Sequence, residues 1–227
     1  MMKIEIKKLI YSDRKGFRLR IDEKGDLIVF APYNATRNDV LQIVEKKMNW
    51  IVRTRERILE NLKKIKQNNF EEGEEFLFLG RTYKLAFWLK SGIELDEKNR
   101  KIYVPFADKT TVQRKMLNFY KSKAKSYLQS VLDKCSENMN IKYKKFQIRD
   151  SKTVWGSCGK NGSINLNWRL ILLPEEIIEH IIIHELAHVV YRNHSKQFYN
   201  FVSLFSKDYK EKDRWLRDNS YILNLFR

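Results

Sequence analysis

All four histidines of this 227-residue chain fall between residues 180 and 194, in the run His180-Ile181-Ile182-Ile183-His184-Glu185-Leu186-Ala187-His188-Val189-Val190-Tyr191-Arg192-Asn193-His194. A segment this apolar has to be buried, and its polar residues recur at helical spacing. At ~100° per residue His184 and His188 lie about 40° apart and one turn from each other, so both imidazoles can reach one point. Glu185 sits about 100° from His184, beside that point without sharing it. H-E-x-x-H on a helix is the pattern in which two histidines bind a divalent ion and the acid acts as a base on a water. Ile177, Ile178, Ile181, Ile182 and Ile183 bury the helix from several sides, and a dry setting sharpens metal electrostatics.

A catalytic zinc keeps three protein ligands and leaves a fourth position open. The third ligand is expected from His194. Six residues beyond His188 an unbroken helix would turn it about 240° away, so the chain must bend first. Asn193 tolerates the left-handed conformation and suits that bend, and Ser195 can cap a following helix. His180, one turn before His184, is expected in the core or behind the ligands. Three ligands from consecutive turns of one straight helix would span ~12 Å, too far to share one ion.

The remainder of the chain reads as α+β. Alternating segments at Lys3 to Ile10, Gly16 to Ile21 and Asp26 to Ala31, with a turn at Asp22 to Gly25, predict a small antiparallel meander. Thr36-Arg37-Asn38-Asp39 resembles a capping box, and the apolar spacing that follows predicts one long helix from about Thr36 to Lys66. Strands are expected at Phe76 to Leu79, Arg81 to Leu89 and Lys101 to Val104. The character shifts near residue 105: Thr110 or Thr111 can cap a helix through Val131, followed by strands at Tyr143 to Arg149 and Ser163 to Trp168. Helices are expected from Pro174 to about Arg192, from Ser195 to Ser206 and from Asp208 to Asp218. Residues 1–105 thus form a strand-rich region with one long helix, and residues 106–227 a second domain carrying the histidines.

A hydrophobic share of 43% with 13% aromatic residues excludes a disordered chain. No window reaches the ~18 apolar residues of a membrane span, and the N-terminus reads as a strand instead of a signal peptide. Two cysteines, Cys135 and Cys158, do not make a disulfide framework, so a reducing cytoplasmic location is expected. The surplus of 45 Lys and Arg over 28 Asp and Glu, +17 in all, admits nucleic acid as a partner through a basic surface. No helix-turn-helix, RRM or zinc-finger spacing accompanies that charge.

The stretches Trp155-Gly156-Ser157-Cys158, Asn165-Leu166-Asn167-Trp168-Arg169-Leu170, His184-Glu185-Leu186-Ala187-His188 and Asn193-His194-Ser195-Lys196-Gln197-Phe198 together resemble the YgjP-like metallopeptidases, over nearly the whole chain. The resemblance implies a zincin-like domain, kinship with WLM and SprT-like proteases, zinc bound by His184, His188 and His194, and Glu185 as general base. Val154 departs from it, standing where many relatives carry a basic residue. The histidine spacing also fits the metzincins, but Tyr191 stands at their turn glycine and no methionine follows Met139 to supply a Met-turn.

The expected chemistry is peptide-bond hydrolysis of a protein or peptide substrate; the rival reading is a non-catalytic nucleic-acid-associated module with a structural metal, or a protease recruited to DNA. The strand Ser163 to Asn167 is expected at the rim of the cleft, where it could pair with an extended substrate. Tyr191, Tyr199 and Arg169 are the donors available to stabilise an oxyanion. Ser157 has no second histidine cluster to activate it. Cys158 reads as a small buried residue, not a fourth ligand.

Overall fold

The computed structural model describes residues 5–65 and 68–226. The chain divides into two compact units, residues 1–66 and residues 67–227, each with its own apolar core. The division falls after residue 66, not near residue 105. The strands between residues 75 and 105 belong with the histidine-bearing unit because the helix that follows them packs on them: Tyr120, fully buried, donates its hydroxyl to the Leu77 carbonyl at 2.8 Å. A composition shift marks where strands give way to helices, and here that lies inside one core.

In the first unit, strands β1 (Ile6–Ser12), β2 (Arg18–Ile21) and β3 (Leu27–Pro32) form a sheet in the order β1-β3-β2. It is not a meander. β2 and β3 are an antiparallel hairpin, but β1 runs parallel to β3. Alternation fixes which side chains are buried without fixing which strand is whose neighbour. The hairpin turn is where it was expected: Gly25 has φ 86°, and the Asp22 carboxylate accepts from the Lys24 and Asp26 amides at 2.9 Å. Leu27, Val29 and Ala31 pack on helices α1 (Arg37–Lys46) and α2 (Met48–Lys64) through Val40, Val44 and Ile51.

The Thr36–Asp39 capping box is present, with both reciprocal bonds made. The single long helix is instead two, because Lys47 leaves helical geometry (φ −106°, ψ 10°) with its amide shared between the Ile43 and Val44 carbonyls. No glycine or proline marks that break. Lys3 and Ile4 of the first expected strand, and Lys66 of the expected helix end, lie outside the described residues.

In the second unit, β4 (Glu75–Phe78), β5 (Arg81–Trp88), β6 (Glu94–Asp96) and β7 (Lys101–Pro105) form a sheet in the order β4-β5-β7-β6. The short β6 has too little alternation to be read from sequence. Helix α3 (Lys109–Asn138) is capped by Asp108, whose side chain accepts from the Thr111 amide at 3.1 Å, so neither Thr110 nor Thr111 is the cap. The Asp108 carboxylate takes the third amide of the helix, so the helix begins at Lys109, before either threonine could cap it. Val112, Met116, Tyr120, Ala124, Leu128 and Leu132 form its fully buried stripe.

A third sheet follows, of β8 (Lys145–Arg149), β9 (Gly156–Cys158) and β10 (Ser163–Asn167) in the order β8-β10-β9. A 3-10 turn over Trp168–Leu172 leads into α4 (Glu175–Val190), then α5 (Lys196–Phe205) and α6 (Tyr209–Asp218). The β4–β5 hairpin tip fixes the entry to α4. Leu79 and Gly80, both at positive φ, donate their amides to the carbonyls of Ile171 and Leu172. A Cβ at Gly80 would stand 2.8 Å from Pro174 Cα, so only glycine fits. Among the described residues no helix is long and apolar enough to cross a membrane.

Candidate metal centre and active site

Helix α4 is surrounded by core: Ile177, Ile178, Ile181, Ile182, Ile183, Leu186 and Ala187 are all buried, and its outward side bears His184 and His188. The helix ends where Tyr191 becomes extended (φ −114°, ψ 108°). The chain then bends at Arg192 and Asn193, where the bend was expected, but Asn193 is not in the left-handed region. The redirection uses no positive φ.

The bend returns His194 to the helix. Its Nε2 lies 3.0 Å from His184 Nε2 and 3.2 Å from His188 Nε2. His184, His188 and His194 are the one group among the described residues in which three or more metal-ligating side chains converge, within 4.8 Å of one another. His188 Nδ1 lies 2.9 Å from the Tyr191 carbonyl oxygen. A carbonyl only accepts, so Nδ1 carries the proton and Nε2 keeps its lone pair for the cluster.

Phe198, fully buried, is a platform under all three imidazoles, with ring centroids 4.9, 4.5 and 4.9 Å from His184, His188 and His194. Ser195 caps α5 through the Phe198 amide and so fixes both the platform and the adjoining His194. Burial holds the His184 imidazole down to about 4, helped by the neighbouring His188 and His194, and burial also lowers His188. Neutral, convergent imidazoles are the donor set that a borderline-soft divalent ion takes.

Glu185 is 8% exposed and lies against β9. A Cβ on Gly156 would be 2.8 Å from Glu185 Cγ and 2.9 Å from its Oε1, so the carboxylate occupies space that only a glycine leaves. Burial pushes the carboxyl up to about 7, against the pull of the Cys158 amide that bonds to it. Among the described residues no cation pairs with it.

β10 is the centre of its sheet, between β8 and β9, so it offers no free edge to a substrate. The edge beside α4 is β9. No strand is expected there from the sequence, because the three residues Gly156–Cys158 carry too little alternation to announce one.

Beside Glu185 opens a cleft of ≈ 460 Å³, walled by Val154 and Trp155, by Ile181 and His184 of α4, and by Leu216 and Arg217 of α6. His180 lies outside the three-histidine group, in the core as expected, 1% exposed, its Nε2 3.1 Å from Asp213 Oδ1 and its Nδ1 2.9 Å from Ser206 Oγ. Of the oxyanion donors, Arg169 is excluded by its surroundings: it is 2% exposed, paired with Asp150 and bonded to the Leu225 carbonyl. Tyr199 borders the cleft, and Tyr191 packs on Phe201. Ser157 accepts from Asn165 Nδ2 at 3.4 Å. Cys158 is a free thiol outside the histidine cluster.

Arg192 escaped the sequence reading. Its guanidinium bonds the carbonyls of Gly159 and Lys160 at 3.1 and 3.0 Å, tying the loop between the second and third histidines to the end of β9.

Two solved structures are similar over part of the chain. The metallopeptidase zymogen abylysin of Pyrococcus abyssi is 27% identical, covering 39% of this chain and 91% of that one, with a TM-score of 0.36. The metallopeptidase zymogen jannalysin of Methanocaldococcus jannaschii is 25% identical, covering 39% and 92%, also with a TM-score of 0.36. No curated protein matches the sequence. The model of the YgjP-like metallopeptidase domain matches residues 15–219, and on that match the chain belongs to the YgjP-like metallopeptidase family.

Proposed function

We propose that the protein is a zinc-dependent peptidase in which His184, His188 and His194 hold the ion and Glu185 is the general base. The observation that carries this reading is the convergence of three Nε2 atoms beside a buried carboxylate that no cation among the described residues neutralises. Among the described residues no fourth His, Cys, Asp or Glu joins the group, which favours an open catalytic site over a closed structural one. When bound, the ion supplies a Lewis acid that acidifies a water and polarises the scissile carbonyl.

The chain's own residues do the rest. His188, oriented by its bond to the Tyr191 carbonyl, presents a lone pair. Glu185 takes the proton of the attacking water and returns it to the leaving amine, and a carboxyl poised near 7 suits both transfers at neutral pH. Gly159 donates to the Ser163 carbonyl and Asn167 to that of Trp155, so residues 155, 157 and 159 face β10 and residues 156 and 158 face away. The Gly156 main chain and the Cys158 carbonyl therefore serve as the rail for an extended peptide, with the cleft taking one of its side chains. Two free thiols, Cys135 and Cys158, fit a reducing cytoplasmic setting.

The test is casein cleavage with metal analysis. Glu185→Gln is expected to lose about 10²- to 10⁴-fold in kcat while keeping its metal; His194→Ala is expected to lose both. Equal activity of wild type and Glu185→Gln would overturn the mechanism.

A further inference from the structure

The other face of the first unit's sheet has no part in this chemistry. Leu27, Val29 and Ala31 of β3 point to the helices, so Ile28 and Phe30 point the opposite way. Register sets their neighbours: Lys8, Ile28 and Arg20 form one row across the three strands, and Ile10, Phe30 and Arg18 the next. Lys8, Arg18, Arg20 and Ile10 are exposed and Phe30 is half-buried. Arg14 joins them from the β1–β2 connection; its guanidinium and that of Arg18 stand 5.8 and 5.9 Å from the Phe30 ring centroid.

No acidic residue occupies the outward positions of these three strands. Asp22, beside Arg20, is engaged by the amides of its own turn. Residues 1–66 hold 17 Lys and Arg against 9 Asp and Glu, close to half of the chain's positive surplus in under a third of its length.

We infer that this face binds single-stranded nucleic acid, the four cations pairing with phosphates and Phe30, with its flanking guanidiniums, stacking on a base. Charge complementarity selects a polyanion. The aromatic ring among arginines on an open sheet selects one with exposed π-faces, which a single strand offers and a duplex buries. An anionic membrane is disfavoured, because Ile10 is the one large apolar side chain exposed among the outward residues.

The test measures binding of a labelled oligo-dT to the full-length chain across salt concentrations. Four phosphate contacts predict a slope of log K against log salt of about −3, and Arg18→Ala/Arg20→Ala should make it shallower by about 1.4 while weakening binding at least tenfold. Phe30→Leu should weaken oligo-dT about tenfold yet leave inorganic polyphosphate binding unchanged, since only the former has bases to stack. Circular dichroism and the thermal melt of both variants should match wild type, which checks their fold independently of the peptidase reading.

Absence of oligo-dT binding, wild-type binding by the double variant, or equal losses on both probes with Phe30→Leu would each overturn the inference. So would phosphatidylserine vesicles competing as well as oligo-dT. Photocrosslinking of the wild-type chain needs no variant: adducts within residues 8–32 are expected, and adducts confined elsewhere refute the site.

Discussion

Glu185 and Gly156 form one device. The carboxylate is buried because β9 lies over it, and β9 can lie so close because residue 156 has no side chain. Gly156→Ala must displace either the strand or the carboxylate, since 2.8 Å to Cγ is far inside contact distance. We expect kcat to fall about 100-fold with metal content retained, the signature of a misplaced base. Stability linkage gives a second check. The folded carboxyl, at about 7, lies above its ordinary 4.5, so between those values the folded state binds more protons than the unfolded one and stability falls as pH rises. In metal-free protein Glu185→Gln should therefore match wild type near pH 4 and exceed it by on the order of 3 kcal/mol at pH 8, read by denaturant titration. A constant difference across that range would show that the carboxyl is not perturbed by burial.

Among the elements, α4 supplies two histidines and the carboxylate, but α5 decides whether the third histidine arrives. Ser195 caps α5, Phe198 one turn on supports all three rings, and His194 directly precedes the cap. Ser195→Ala should cost about 1 kcal/mol of stability. It should also weaken zinc affinity, measured by chelator competition, because the lost cap frees the segment that carries His194. At the other end of α4, Gly80→Ala combines an unfavourable positive φ with contact on Pro174, and a loss of at least about 1–3 kcal/mol in urea unfolding is expected. Element types were legible wherever periodicity was long, as in α3, α4 and α5. They were not legible at β6 and β9, which have three residues each, nor at Lys47, where the helix breaks without a glycine or proline.

At the scale of the molecule, metal binding and folding are linked, since three imidazoles from a helix and the loop after it converge only in the folded chain. Zinc at 100 times its Kd should stabilise the chain by about 2.7 kcal/mol, a gain that a chelator removes and that His194→Ala lacks in a thermal melt. The sequence by itself determined that His184, His188 and His194 converge beside Glu185, because H-E-x-x-H geometry is local to one helix and the return of His194 needs only a short bend. It also determined the burial of α4 and the positions of most strands and helices, which depend on spacing along the chain. Tertiary structure alone decided that β9 and not β10 is the free edge, that β1 pairs parallel to β3, and that the strands before residue 105 share a core with α3. Strand order and core membership are contacts between residues far apart in sequence, and a periodicity of two or 3.6 contains no record of which distant partner a face will meet.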